Sequence, residues 1–202
     1  MTLGEPETRP SEARLRLLTT ATRIFYAEGI HSVGVDRLIA EAKVTRATFY
    51  RHFPGKEDLV LTYLREVHQM ERAAVETAIA DNPSAVDALL AIAGSIAHSI
   101  QSPGFRGCAF LNAAAEYPAT DQPVHQEIIA HRQWFLDTLT MMMARVHDPT
   151  AHAAARHFVM LRDGAMAAGC LFDPALVSET FLRGIEGLLR INAERQSTES
   201  GR

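Results

Sequence analysis

The sequence predicts an all-α protein of nine helices, and three observations support this prediction. Apolar residues recur every three to four positions along most of the 202 residues, which is the period of an amphipathic helix. Breaks rich in proline and glycine separate these stretches at intervals of helical length. No alternation of apolar and polar residues lasts long enough to indicate a β-strand.

The first helix is predicted to follow a disordered arm. Residues 1–10 hold two prolines, a glycine and few large apolar residues, so they are predicted to lack a packed structure. Ser11 is a good N-cap for the first helix, and apolar residues then recur at a helical period as far as Phe25. Gly29 is predicted to end this helix, since glycine is the residue that most often follows a helix C-terminus.

Two short helices come next, and their arrangement predicts a helix-turn-helix. The apolar pattern from Val35 to Ala42 has room for only two helical turns. Thr45 is placed to cap a third helix, Arg46–His52, which Pro54 and Gly55 end. Two short helices joined by a few residues are typical of a DNA-binding helix-turn-helix. The domain organisation predicted from this is an arm over 1–10, a helix-turn-helix domain over 11–55 and a second domain over 56–202.

The second domain is helical in pattern throughout. Prolines mark the breaks between its helices. The predicted helices are Lys56–Ala80, a helix ending near Ile100, Arg106–Glu116, Val124–Val146, Thr150–Leu171 and Pro174–Arg195. The polar tail, Gln196 to Arg202, is predicted to be frayed.

Composition excludes several classes of protein. Apolar residues make up 47% and charged residues 22%, as in an ordinary globular protein. There is no apolar run of about 18 residues and no signal-peptide pattern, so the sequence predicts a cytoplasmic protein without a membrane partner. Cys108 and Cys170 lie far apart and outside any CxxC spacing, which excludes a disulfide scaffold and a four-cysteine zinc site. No cofactor is predicted.

The charge is unevenly distributed. The chain carries a net charge of −4, yet residues 31–56 hold five basic side chains against two acidic ones. The basic residues are Arg37, Lys43, Arg46, Arg51 and Lys56. A basic patch on an acidic body is what DNA binding at one end of a protein needs, and Arg37 and Arg51 are included in the predicted DNA-binding set on this ground.

The third helix has the side chains that a recognition helix requires. Thr45 and Thr48 are short hydroxyl donors at its leading end, and Arg46 is long enough to reach a guanine edge. Tyr50 and His52 can donate to phosphates from its far end. Lys56 begins the next helix, whose free backbone N–H groups also attract a phosphate. The apolar seating face is predicted to comprise Ala47, Phe49 and Phe53.

These residues resemble the signature of the tetracycline-repressor (TetR) family of bacterial regulators. The resemblance runs from Ala21 to Leu59 and includes Ala-x-x-x-Phe-x-x-x-Gly, Val-x-x-Leu-Ile-Ala-x-Ala and Thr-Phe-Tyr-Arg-His-Phe-x-x-Lys-Glu-x-Leu. It implies a nine-helix fold that joins a helix-turn-helix domain to a ligand-binding and dimerisation domain. It also implies a role for each position of the third helix: phosphate contact for Thr45, Tyr50 and Lys56, base contact for Arg46, Ala47 and Thr48, and a place at the phosphate rim for His52.

Two positions depart from the family pattern. A threonine commonly precedes the second helix, where it caps the helix and touches DNA. This chain has Gly34 there, so the contact is either absent or supplied by Ser32. Lys43 replaces a glycine often found in the turn, at some backbone cost unless its dihedral angles are ordinary.

A ligand pocket is predicted in the C-terminal domain. Asn112 lies in an otherwise apolar segment, and a buried amide needs a partner from the protein or a ligand. The following helix is rich in large, adaptable side chains. The candidate residues for an unknown small-molecule effector are Cys108, Leu111, Asn112, His131, Trp134 and Phe135. Ordinary core packing is the alternative for each of them.

The last two helices are predicted to form a homodimer interface. Small residues crowd the helix after Pro149, and such a face lets helices approach closely. Packing within one chain is the alternative. A dimer also suits a helix-turn-helix, since two recognition helices about 34–36 Å apart match one turn of B-DNA. The resulting hypothesis is a homodimeric repressor that binds a near-palindromic duplex operator and is released by a ligand.

Other functional classes stay open. Nine histidines raise the possibility of metal sensing, but their spacing does not converge on one helix face and no HExxH occurs. Neither cysteine has a cationic cluster beside it in sequence that would make it a redox sensor. A helical enzyme would need a nucleophile, base and acid at meaningful spacing, and none is evident, so no catalytic residue is predicted. A helical adaptor that binds protein rather than DNA is the last alternative.

Overall fold

The computed structural model describes residues 11–146 and 150–199, with side chains as far as Arg190. Within these ranges the chain forms nine α-helices and no strand, which confirms the predicted all-α class. The helices are α1 (Glu12–Glu28), α2 (Val35–Ala42), α3 (Arg46–His52), α4 (Lys56–Ala80), α5 (Ala85–Ile100), α6 (Ala109–Glu116), α7 (Pro123–Ala144), α8 (Ala151–Ala168) and α9 (Pro174–Glu199). The predicted arm over 1–10, the predicted break at residues 148 and 149 and the last three residues of the chain lie outside the described residues.

Three predicted helix ends are wrong by three or four residues, and one of them is the end of the eighth helix, which lies at Ala168 rather than Leu171. The sixth helix begins at Ala109 rather than Arg106, because Gly107 has a φ of +83° that an α-helix excludes. The last helix continues to Glu199, so the prediction of a frayed tail is wrong for residues 196–199. No proline or glycine interrupts the chain between Gly187 and Gly201, and nothing local therefore ends the helix earlier.

The chain divides into two compact units after Arg65, within α4. In the first unit, α1 packs against α2 and α3. The apolar stripe of α1 is buried, as its period predicts, and Phe49 of α3 and Phe53, which follows α3, are also buried. The functional boundary predicted between residues 55 and 56 stays a prediction, since compactness alone does not assign a function.

The second unit is a bundle built on α5, α7, α8 and α9, with α6 packed against α7. Three aromatic rings from three helices meet edge to face at its centre: Phe158 lies 6.5 Å from Phe135 and 6.2 Å from Phe181, centroid to centroid. At the end of α8, a Cβ on Gly169 would stand 2.6 Å from Cγ2 of Ile100. Glycine therefore permits the close approach of α5 to the end of α8. No helix in the described ranges combines the length and apolarity needed to cross a membrane.

Candidate nucleic-acid interface

The leading end of α3 exposes short polar side chains on a rigid, capped turn. Thr45 is the N-cap, and its Oγ1 accepts a hydrogen bond of 3.1 Å from the backbone N–H of Thr48. The two threonine hydroxyls also share a hydrogen bond of 2.9 Å. Arg46 and Ala47 are exposed beside them. This cap fixes the direction of the helix and leaves its first turn accessible to a partner.

Arg46 is held by a carboxylate from the neighbouring helix. Its Nη2 donates to Oδ1 of Asp36 at the start of α2. Both side chains are largely exposed, so this pair contributes little to stability in water. Its effect is to orient the guanidinium while leaving its other donors available.

Arg37 joins α2 to α1 through two glutamates. Its guanidinium donates to both carboxylate oxygens of Glu28 at 2.5 and 2.6 Å, and its Nε donates to Glu41 at 2.9 Å. Glu41 also accepts from Arg23 at 2.5 Å. Hydrogen bonds from Arg37 lower the pKa of Glu28, and hydrogen bonds from Arg23 and Arg37 lower that of Glu41.

Four of the predicted DNA-binding residues lie at the far end of α3 and the start of α4. Tyr50 and Arg51 are exposed. His52 is half-buried, and its Nε2 lies 3.0 Å from Oγ of Ser11, the cap of α1. Lys56 begins α4, where its Nζ donates to the carbonyl oxygen of Ile30 at 2.6 Å. The ammonium carries three donors, so this bond fixes its position without using its whole capacity.

The turn between α2 and α3 is strained at one residue. Lys43 has φ 53° and ψ 50°, and it is the one non-glycine residue of the described ranges with a positive φ. The N–H of Lys43 bonds to Ala40 O and that of Val44 to Ile39 O, which closes the helix in a Schellman motif. Such a position favours glycine, because an L-residue there brings its Cβ close to a carbonyl oxygen.

The second unit contains a cavity of about 150 Å³ between α4, α5, α7 and α8. Most of its wall is apolar, and Glu71 and Arg162 supply the charged part. The lining residues are Glu71, Ala74, Val75, Ile92, Ser95, Ile96, Ser99, Phe135, Arg162 and Met166. A larger depression of about 490 Å³ lies between α8 and α9, and exposed side chains such as Met160 and Phe172 form part of it.

Arg162 is the most unusual group in the cavity wall, since only 3% of it is exposed. Its Nη1 donates to Sγ of Cys108 at 3.3 Å and to Oδ1 of Asp163 at 3.0 Å. Its Nη2 lies 3.6 Å from Oε2 of Glu71. Asp163 is shared with Arg132, which binds it through Nη1 and Nη2. Within the described residues, Nε of Arg162 has no hydrogen-bond partner.

His131 lies beside this network in a ring cluster. Its imidazole stacks on Phe110 with 3.5 Å between centroids, and its Nδ1 lies 3.0 Å from Nδ1 of His68. Burial, assisted by the charge of Arg162 and by His68, lowers the pKa of His131 to about 3. The ring is therefore neutral at pH 7. Burial also raises the pKa of Glu71.

Comparison with known proteins identifies the family. The model of "Bacterial regulatory proteins, tetR family" matches residues 17–63, which hold α2, α3 and most of α1. The crystal structure of SCO4454, a TetR-family transcriptional regulator from Streptomyces coelicolor, is 64% identical, with a TM-score of 0.89. That alignment covers 90% of this chain and 96% of the other. The chain belongs to the TetR family. The predicted family and its nine-helix fold are thus confirmed.

Curated relatives match the N-terminal part of this TetR-family chain. The HTH-type transcriptional regulator EthR of Mycobacterium tuberculosis is 35% identical over 86 residues, which are 42% of this chain and 39% of EthR. The HTH-type transcriptional regulator LmrA of Bacillus subtilis is 31% identical over 65 residues, 32% of this chain and 35% of LmrA. The chain therefore spans less than two fifths of the length of these relatives. All three proteins are named as transcriptional regulators.

One detail of the predicted recognition helix is wrong. Ala47 was predicted both to seat the helix and to face the bases, and its side chain is exposed. Phe49 is the buried residue of α3, and residue 47 points elsewhere because it lies about 200° around the helix from residue 49. An exposed side chain is consistent with contact to a base, which is the role that the resemblance to the TetR family implies for Ala47.

Ser32 does not cap α2 as the threonine common in the family does. Oγ of Ser32 donates to the carbonyl oxygens of Glu28 and Gly29. Gly34 is the N-cap, and α2 has no side-chain capping bond. The sequence also missed Asp36, Glu28 and Glu41 as partners of the predicted DNA-binding arginines. The four-residue spacing of Arg37 and Glu41 could have predicted their ion pair, because residues four apart are neighbours on a helix.

The predicted ligand residues are not all brought to the 150 Å³ cavity. Phe135 alone lines the 150 Å³ cavity. The expectation of a buried amide at Asn112 is wrong, since the residue is exposed and its Nδ2 donates to the carbonyl oxygen of Arg106 at 2.8 Å. Trp134 is half-buried and packs edge to face on His68. Leu111 is half-buried on α6.

Cys108 is buried, and its contact with Arg162 could not be read from the sequence because 54 residues separate the two. Cys170 is exposed. Across residues 11–146 and 150–199, no group of three or more His, Cys, Asp or Glu side chains is placed to hold a metal ion. Redox sensing and metal sensing stay predictions that these contacts do not test.

Proposed function

We propose that this TetR-family protein is a homodimeric repressor that reads a near-palindromic DNA operator with α3 and is released by a small ligand. The observation that carries the proposal is the leading end of α3. It presents Thr45, Arg46, Ala47 and Thr48 on one accessible turn, seated by Phe49 and Phe53. This is the arrangement that lets the N-terminal residues of a recognition helix reach base edges in the major groove.

Arg46 is assigned the reading of a base edge. A bidentate contact between arginine and guanine contributes about 1–3 kcal/mol of discrimination against other bases. The exposure of Arg46 supports this role, and its contact with Asp36 engages Nη2 of the guanidinium. Tyr50 is assigned a phosphate, which positions the protein without reading sequence.

A pair of variants tests the two roles. Operator duplexes from the region upstream of the gene are titrated by fluorescence anisotropy, together with scrambled DNA at several salt concentrations. Arg46→Ala should weaken operator binding and relax base preference at one position. Tyr50→Phe should weaken binding to both duplexes alike and leave the salt dependence unchanged, because the hydroxyl it removes carries no charge. Arg72→Gln, on an exposed arginine of α4, is the charge-matched control. If the first two variants bind DNA like the wild type, α3 does not dock as proposed.

The dimer is assigned to the exposed apolar face of α8 and α9. Leu171 is 76% exposed and Phe172 is 67% exposed, at the junction of the two helices. Met160 of α8 and Leu176 of α9 are exposed on the walls of the adjoining depression. A contiguous apolar surface of this kind is costly in water and typical of an interface. A second copy of the chain is the occupant that two operator half-sites require.

Solution mass measurement tests the dimer. Leu176→Glu should place a charge in the interface, yield a monomer by light scattering, and lower operator affinity with it. Ile129→Glu is the matched control, because Ile129 is an exposed isoleucine on α7, outside that face. A wild-type protein that is monomeric at micromolar concentration would contradict the assignment.

Release from the operator is assigned to ligand binding in the 150 Å³ cavity of the second unit. A ligand shifts a conformational equilibrium only if it binds the two states differently. Four helices contribute to the cavity wall, so a ligand there can favour one packing of the bundle over another. The proposed outcome is a conformer whose recognition helices no longer match the operator spacing.

A further inference from the structure

Glu71 of α4 is the group of the cavity wall that indicates what kind of ligand enters the cavity. We propose that the cavity binds a neutral compound of one ring that donates a hydrogen bond to Oε1 of Glu71, as a phenol does. This inference rests on the proposed ligand-released function and names the chemical class of the ligand.

The two oxygens of the Glu71 carboxylate are used unequally. Oε2 lies 3.6 Å from Nη2 of Arg162 and 3.5 Å from Nε2 of His131. Both contacts use Oε2, and no N–H or O–H group of the described residues donates to Oε1. Among those residues, Nε of Arg162 is the one buried side-chain nitrogen or oxygen without a hydrogen-bond partner. Since Oε1 also lacks a partner, it is accessible, and it can accept a hydrogen bond from a ligand.

The charges around the cavity already balance, which favours a neutral ligand. Arg162 and Arg132 contribute two positive charges, and both bind the carboxylate of Asp163. Asp163 and the ionised form of Glu71 contribute two negative charges. The pKa of His131 is lowered to about 3, so its ring adds no charge at pH 7. A charged ligand would bring a net charge into a largely apolar site, which is costly without a further counter-charge.

The rest of the wall and the volume of the cavity indicate a single ring. The apolar surface includes the buried side chains of Val75, Ile92 and Phe135. A cavity of about 150 Å³ holds a molecule the size of benzene. Ser95 and Ser99 line the cavity and are exposed, so it opens to solvent along this edge of α5. A ring with one polar group matches an apolar wall with an accessible acceptor.

The protonation of Glu71 provides a second readout. Burial raises the pKa of Glu71, and the charges of Arg162 and Arg132 oppose this shift. A donor on the ligand favours the ionised carboxylate, so ligand affinity should rise with pH through the raised pKa and then level off. The charged and titratable groups that face Glu71 or its contacts are His68 of α4, His131 and Arg132 of α7, and Arg162 and Asp163 of α8.

The experiment uses the full chain and four single-ring compounds: phenol, toluene, benzylamine and benzoate. Titration calorimetry without DNA measures their affinities for the wild type. Phenol should bind, and the cation benzylamine and the anion benzoate should each bind at least about tenfold more weakly. The affinity of phenol should rise as the pH rises from about 5 to about 8. The affinity of toluene, which has no hydrogen-bond donor, should not change with pH.

The variant Glu71→Gln tests the acceptor. It retains the size of the side chain and an acceptor oxygen but removes the charge. Phenol should therefore bind about tenfold more weakly, because a hydrogen bond to a carboxylate is roughly twice as strong as one to a neutral group. The affinity of toluene should be unchanged, and the pH dependence of phenol binding should disappear. Glu66→Gln, on an exposed glutamate of α4 outside the cavity wall, is the matched control.

Several results would overturn the inference. In the wild type, these are a failure of phenol to bind, an affinity for either ion that equals that for phenol, and an affinity for phenol that does not rise with pH. A folded Glu71→Gln protein that binds phenol as tightly as the wild type overturns it too. Circular dichroism establishes that each variant is folded, and the ligand and pH series on the wild type decide the matter if Glu71→Gln is not.

The outcome is separable from that of the proposed function. If phenol binds as expected and operator complexes persist in its presence, the release step is wrong and the site assignment stands. If a charged compound releases operator DNA while phenol does not bind, release stands and the assignment of a neutral donor is wrong.

Discussion

The left-handed residue in the turn of the helix-turn-helix offers a direct test of how this unit is stabilised. Lys43 occupies the position after α2 where glycine is favoured, with φ 53° and ψ 50°. A left-handed conformation costs an L-residue about 1–2 kcal/mol. Glycine avoids this cost but loses about 0.5–1 kcal/mol more chain entropy on folding. Lys43→Gly should therefore stabilise the protein by about 0.5–1 kcal/mol.

Urea denaturation followed by circular dichroism measures this gain. With a slope of about 1–3 kcal/mol per molar for a protein of this class, the midpoint should rise by a few tenths molar at constant slope. Lys43→Ala is the matched control, because it removes the same charge and side chain but keeps the Cβ. Its midpoint should stay at or below that of the wild type.

Equal midpoints for the glycine and alanine variants would refute the reasoning. They would mean that the Cβ at this position carries no strain and that any gain comes from losing a cation beside the basic patch. A lower midpoint for Lys43→Gly would refute it too, since the entropy of the unfolded chain would then outweigh the left-handed cost.

Three further predictions concern other parts of the chain. Gly34→Ser should give α2 the side-chain cap it lacks and raise the denaturation midpoint slightly; an unchanged midpoint would contradict this. Glu28→Gln should lower the free energy of unfolding at pH 7 but not well below pH 4.5. The hydrogen bond from Arg37 lowers the pKa of Glu28 in the folded state, so the stability that this carboxylate contributes is present above its ordinary pKa and is lost as the pH falls. A loss of stability that does not depend on pH would contradict this. Phe158→Ala should cost about 3–5 kcal/mol by denaturation, whereas Ile129→Ala, at an exposed site, should cost under about 0.5 kcal/mol.

Local signals in the sequence were sufficient for the helices and for the recognition element. Thr45 was predicted to cap α3, and its hydroxyl accepts from the N–H of Thr48. Ser11 was predicted to cap α1, and its hydroxyl accepts from the N–H of Arg14. These interactions span three residues, so the order of residues along the chain determines them. Gly29 ends α1 with a φ of 90° for the same reason.

The cavity could not be predicted in this way, because distant parts of the chain form it. Arg162 meets Cys108 across 54 positions, and Arg132 meets Asp163 across 31. The prediction chose Asn112 as a polar group in an apolar helix, but α6 turns that side chain outward. Arg162 was a better indicator of a buried polar site than Asn112. It lies between Phe158 and Met166, in a segment of largely apolar and small residues. Charged residues are seldom buried without partners, so an arginine in this segment indicates that carboxylates from elsewhere in the chain pack against it.

The carboxylates beside the arginines proposed to face DNA bear on how such a protein would find its operator among many other sequences. Arg46 and Arg37 already hold Asp36 and Glu28 in the absence of DNA. When random DNA replaces these anions with phosphates, one ion pair is exchanged for another and little free energy is gained. Encounters with random sequence should accordingly be brief, and scanning along the duplex fast. A base edge that forms a bidentate hydrogen bond with the Arg46 guanidinium adds the binding free energy that slows dissociation from the operator.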